Sequence, residues 1–114
     1  CREVSINDYE KAELFFYKGD IDSYIQYVIF SLDNYADYYI YNYNRGNTDI
    51  LPTIVSAIQT RIEKVILNLK DRDATTTASK SSVLQVVQNL RNIEDEDFNI
   101  ILSNFHTIIK YQNQ

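Results

Sequence analysis

The chain has 114 residues, of which 45% are hydrophobic, and a formal net charge of -5. That length suits one domain around one core, the hydrophobic fraction is too high for a disordered chain, and 2 Gly with 1 Pro leave few of the turn-formers that sandwiches and barrels need. The acidic balance with scattered basic residues disfavours a phosphate backbone or an anionic membrane surface as partner, and no apolar run approaches the ~20 residues of a membrane span.

Taken in chain order, Asn7 and Asp8 are candidate caps of a first helix running to Lys18, with Tyr9, Ala12 and Phe16 on one face and Gly19 as its left-handed stop. Asp20 caps a second helix in which Ile21, Ile25, Val28, Leu32, Tyr35 and Tyr39 recur at steps of four and three, a heptad seam. The stretch 42–48 reads as a loop, although alternation of Tyr39, Tyr41 and Tyr43 also suits a short extended piece. Thr48 or Asp49 then caps a third helix that tolerates Pro52 in its first turn. Leu51, Val55, Ile58, Ile62, Val65 and Leu69 repeat the four-three spacing. Two long consecutive helices with matching seams should pack as an antiparallel hairpin.

Residues 71–82 are rich in Thr, Ser and Asp and poor in large apolar side chains, so they read as an exposed, mobile loop. Ser81 or Ser82 caps a fourth helix with Val83, Val87 and Leu90 on one face. Glu94, Asp95, Glu96 and Asp97 fall at the start of a fifth, beside its partial positive charge. Phe98, Leu102, Phe105 and Ile109 form its seam, Lys110 stands in its last turn, and the tail from Tyr111 frays. The expected fold class is therefore all-α, an antiparallel bundle of four to five helices in a single domain, 1–114.

Catalytic and metal chemistry find little support in the residue types. His106 is the one histidine and Cys1 the one cysteine, which rules out an intramolecular disulfide and leaves a zinc site dependent on carboxylates from distant elements. The 94–97 carboxylates lack the alternate spacing and turn glycine of a calcium loop, and the two glycines stand alone, so there is no phosphate-binding loop. Asp33 and Asp37, four apart on one helix face, should repel rather than act as an acid-base pair. The expectation is a non-enzyme with no cofactor. A chain with no Met that begins at Cys1 reads as trimmed, with a cytoplasmic setting favoured over a secreted or lipid-anchored one.

Tyrosine is the unusual component, with 10 residues against no tryptophan. Tyr27, Tyr38 and Tyr41 fall off the seam of the second helix and, with Phe30 and Asn34, outline a second face suited to contact with another protein or a second copy of the chain. Phe15, Ile66 and Ile100 add apolar positions outside the seams. The alternatives are that neighbouring helices cover this face, or that the aromatics line a cavity for an apolar small molecule in the core. Two short stretches carry resemblances. Ile29, Phe30, Ser31, Leu32, Asp33, Asn34, Tyr35 and Ala36 resemble poxviral Bcl-2-like proteins, which implies an inhibitor of host signalling with a strongly apolar central helix, whereas the third helix here is amphipathic. Arg61 and Lys64, with an acidic helix start and Phe98, are similar to the helical part of replicative GINS subunits. Both rest on residue types that heptad packing selects anyway, so a helical interaction module is the leading reading and the Bcl-2-like inhibitor an alternative to it.

Overall fold

Gly19, at φ +83°, ends the first helix in a six-residue turn closed by Asp20 N donating to Phe15 O and Gly19 N to Phe16 O. An L-residue with a side chain resists that left-handed conformation, so glycine sets where the helix stops. Gly46, at φ +79°, ends the second helix in the same way, with Asn47 N donating to Asn42 O. In the computed structural model, which describes residues 2–111 and side chains from Ile6 to Lys110, these turns separate α1 (Arg2–Tyr17), α2 (Ile21–Asn44) and α3 (Leu51–Leu69). Then follow β1 (Ala74–Thr76), α4 (Lys80–Arg91), α5 (Glu96–Ile108) and β2 (Ile109–Tyr111). Cys1 and the tail 112–114 lie outside the described residues.

The fold is an all-α bundle whose spine is α2. At 24 residues this helix spans ~36 Å, nearly the 40 Å long axis of the molecule. It packs against α1, α3, α4 and β1, which is why its buried set extends past the seam Ile25, Val28, Leu32 and Tyr35 to Tyr24, Ile29, Ser31 and Ala36. Asp20 caps it, its side chain accepting from Ser23 N at 3.2 Å.

The α2–α3 hairpin is antiparallel. Asn68 near the end of α3 donates to the hydroxyl of Tyr24 near the start of α2 at 3.0 Å, and the Arg61 guanidinium in mid-α3 lies 4.8 Å from the ring centroid of Tyr35. Ile54, Ile58, Ile62, Val65 and Leu69 are the buried stripe of α3, with Leu51 and Val55 half-buried at its mouth. The most extensive packing of α2 is nevertheless with α1, the shorter and less strongly patterned helix. On α5, Phe98, Leu102 and Phe105 are buried as their spacing predicts, and Ile109 continues the seam just past the helix end.

Several boundaries differ from expectation. The first helix begins at Arg2, so Asn7 and Asp8 lie inside it rather than capping it. Neither Thr48 nor Asp49 caps α3. Both sit in a single 3-10 turn, Thr48–Ile50, that leads straight into it, and Ile50 occupies the cap position without a side-chain bond. Ser79, not Ser81 or Ser82, caps α4, accepting from Ser82 N at 3.1 Å. Asp95 alone of the acidic run caps α5, accepting from Phe98 N at 3.0 Å.

The largest departure is at 71–82. β1 runs parallel to β2, with Ala74 opposite Ile109 and Thr76 opposite Tyr111, and its residues alternate buried, exposed, buried. Ala74 and Thr76 are both fully buried. The segment is further tied to the start of α2, where Asp22 accepts from Thr77 N at 2.6 Å and from the Thr77 hydroxyl at 2.9 Å. Lys110 consequently lies in β2 rather than in a helix turn, and its ammonium meets the Asp73 carboxylate at 2.7 Å in solvent. That partner holds the Asp73 carboxyl below its usual range.

Candidate interaction surface

Along α2 the steps from Tyr27 to Phe30, Asn34, Tyr38 and Tyr41 place these five residues on one stripe beside α1. At its lower end the stripe is engaged by α1. The Tyr27 ring stacks on Phe15 at 5.4 Å with an interplanar angle of 16°, meets Phe30 edge-on at 5.7 Å and has the Lys11 ammonium 5.8 Å from its centroid. Asn34 donates to Phe30 O at 2.9 Å and reaches the Asp8 carboxylate at 3.5 Å. Tyr38 is half-buried against the core. Phe30, 51% exposed, and Tyr41, 53% exposed, are the members of the stripe that offer most surface. Arg45 lies 5.1 Å over the Tyr41 ring.

Around the end of α2 from this stripe the surface becomes concave. A groove of about 870 Å³ is lined by Tyr39, Ile40 and Tyr43 of α2, by Thr48 of the 3-10 turn and the first three turns of α3, and by the α4–α5 connection. One wall is the Tyr39–Tyr43 pair, four residues apart and stacked at 6.4 Å and 18°. Leu51, Pro52, Val55 and Ile93 supply apolar surface, and Ser56, Gln59, Asn92, Glu94 and Asp95 supply polar groups. A shallower hollow of about 500 Å³ shares Pro52 and Ser56 and extends to Thr60 and Arg61.

The four-three spacing predicts Tyr39 on the seam, and the sequence around Tyr43 suits an extended or loop segment. Helix α2 in fact continues through Asn44, and in a helix the i, i+4 spacing of Tyr39 and Tyr43 puts both rings on one side. That spacing was the available signal. The contribution of Ile93 and Pro52 had none, because it depends on the α4–α5 connection folding back to the start of α3.

Away from the groove, a titratable cluster surrounds Arg61. The Arg61 guanidinium lies 5.1 Å from the Tyr9 centroid as well as 4.8 Å from that of Tyr35, and its Nη1 donates to Ala57 O at 3.1 Å. Burial pushes the Tyr9 hydroxyl up to about 12, helped by Tyr24 and Glu13 and opposed by Arg61. Burial also raises Tyr24, opposed by the hydrogen bond from Asn68. Phenols held that high are neutral at pH 7 and poorly suited to base or nucleophile roles. Among the described residues no group of His, Cys, Asp and Glu is arranged to hold a metal ion, and no helix is long and apolar enough to cross a membrane.

On α2, burial first and then the Asp37 charge raise the Asp33 carboxyl above its usual value. A raised carboxyl means the folded state binds the proton more tightly. Stability from this group is therefore greatest below the unfolded value of 3.8 and falls as pH rises through the folded one. Asp33→Asn should raise stability at pH 7 by about 0.3 kcal/mol, the size of one like-charge helix pair, and the gain should vanish near pH 3. Urea unfolding at the two pH values reads both; a gain that persisted at pH 3 would assign it to something other than charge.

No protein-family model matches the chain, and no curated protein and no solved structure matches it either.

Proposed function

We propose that this chain is a non-enzymatic α-helical interaction module that binds another protein, or a second copy of itself, through the tyrosine-rich end of α2 and the groove beside it. The observation that carries this reading is the groove itself, with its wall of stacked Tyr39 and Tyr43, its apolar floor and its polar rim. Interfaces concentrate their energy on aromatic anchors in such pockets, with a polar margin that excludes water. Tyr43, 61% exposed, carries the groove's aromatic wall outward, while Phe30 and Tyr41 are exposed on the separate α1-facing stripe of the same helix. An apolar small molecule held in the core is the weaker alternative. The buried side chains from Ala12 to Ile109 form one cluster of their own, and the groove opens at the surface, meeting that cluster at Ile93.

The test is affinity capture compared across variants. Tyr39→Ala and Tyr43→Ala should each weaken a captured partner, or a self-associated state seen by sedimentation, by about 30-fold, the size of a ~2 kcal/mol hot spot. Leu67→Ala, on the exposed side of α3, should leave it unchanged. An association that survives both tyrosine changes and is lost with Leu67→Ala would sink the reading.

A further inference from the structure

We infer that the groove receives a peptide segment of a partner protein in which one or two large aliphatic or aromatic side chains are flanked by Lys or Arg. This rests on the interaction-module reading above and adds the chemistry of the ligand.

Shape and charge both bear on it. The groove is bounded by the end of α2, the start of α3 and the α4–α5 connection, and about 870 Å³ is room for a few projecting side chains, within the ~300–1,000 Å³ of ordinary binding clefts. Its lining residues include two carboxylates, Glu94 and Asp95, and no Lys or Arg. Asp95 gives one oxygen to Phe98 N, and among the described residues neither carboxylate is paired with a cation. Glu96 and Asp97 follow at once in the first turn of α5. The helix N-terminus there offsets roughly half an elementary charge, against four formal negative charges, so the rim stays acidic. Arg91, in the last turn of α4, is the nearest cation along the chain and does not line the groove.

A negative rim repels phosphates and acidic peptides and rewards basic flanks. It also disfavours a second copy of this chain, whose net charge is -5 and whose densest basic stretch, from Arg61 to Arg72, is interrupted by Glu63 and Asp71. The hydroxyls of Tyr39, Tyr43 and Ser56 and the amides of Gln59 and Asn92 offer hydrogen bonds to a peptide backbone once apolar anchors are seated against Pro52 and Val55.

The experiment is selection of a random phage-displayed peptide library on the immobilised full chain, followed by titration of the enriched synthetic peptides. The expected result is enrichment of Leu, Ile or Phe flanked by Lys or Arg, with binding lost in Tyr39→Ala. Affinity should fall by about fivefold in Glu94→Gln, the upper range for one exposed ion pair, and further in Glu94→Lys and at high salt. Glu94 is exposed and makes no capping bond, and circular dichroism checks that both variants fold. Peptides that need Tyr39 but show no basic bias, and that ignore both Glu94 changes, would overturn this inference while leaving the interaction module standing. Enrichment of acidic peptides, or of peptides matching this chain's own sequence, would overturn it too. Failure to enrich any peptide dependent on Tyr39 would overturn the peptide inference, and the capture and sedimentation comparison above decides the interaction module separately.

Discussion

Phe98→Ala should lower the free energy of unfolding by about 3–5 kcal/mol, the cost of truncating a fully buried aromatic. The ring is 0% exposed and stands in the first turn of α5, immediately above the Asp95 cap that accepts its backbone N–H. Packing and capping therefore act on the same residue, and α5 lies against both α3 and α4. Refilling a cavity there from the adjoining acidic run would mean burying a carboxylate that is now exposed, which is itself costly. With ~5–15 kcal/mol typical of whole domains, the loss should shift the urea midpoint strongly. Ile100→Ala, two residues on and 60% exposed, should stay within about 0.5 kcal/mol of the parent. Similar midpoints for the two variants would mean that the start of α5 is not packed as described.

Ala74→Asp should be comparably damaging, at several kcal/mol, because it places a carboxylate with no cationic partner where the native methyl group is fully buried. The neighbouring Thr75→Asp supplies the contrast. Thr75 points to solvent in the same strand, so its substitution should cost little. Equal tolerance of both changes would return the segment to an open loop, and equal damage from both would contradict the alternation of the strand. Chemical denaturation of the two variants side by side makes the comparison.

The helices were legible where seam and stop coincided. In α2 the four-three recurrence of Ile25, Val28, Leu32 and Tyr35 agrees with Asp20 at one end and Gly46 at the other, so periodicity, capping and chirality specify one element between them. Phe98, Leu102 and Phe105 did the same for α5. Ala74 and Thr76 lack the large apolar side chains that mark burial in a sequence, yet both are fully buried. Against a helix as closely approached as α2, a small residue can be the one that fits, so a run of Ala and Thr says little about exposure. The groove was half legible. Tyrosine density pointed to the end of α2, but helical rotation divides those rings between an α1-facing stripe and the groove wall, and only the fold-back of the α4–α5 connection decides which rings line a concavity.

The parallel pairing of β1 with β2 also bears on how the chain orders itself. Parallel strands need a crossover, and here the crossover consists of α4 and α5, so three residues at each end fasten a whole helical arm onto α2 and α3. The contacts between α1, α2 and α3 join neighbours along the chain. Those between β1 and β2 close a loop spanning two helices and add a closure cost of their own. Release of the arm requires the buried faces of α4 and α5 to leave α2 and α3 as well as the strands to part, and it would take the Asn92–Asp95 side of the groove with it. The proposed binding surface thus joins two parts of the chain far apart in sequence, Tyr39 and Tyr43 on one side and Asn92 to Asp95 on the other.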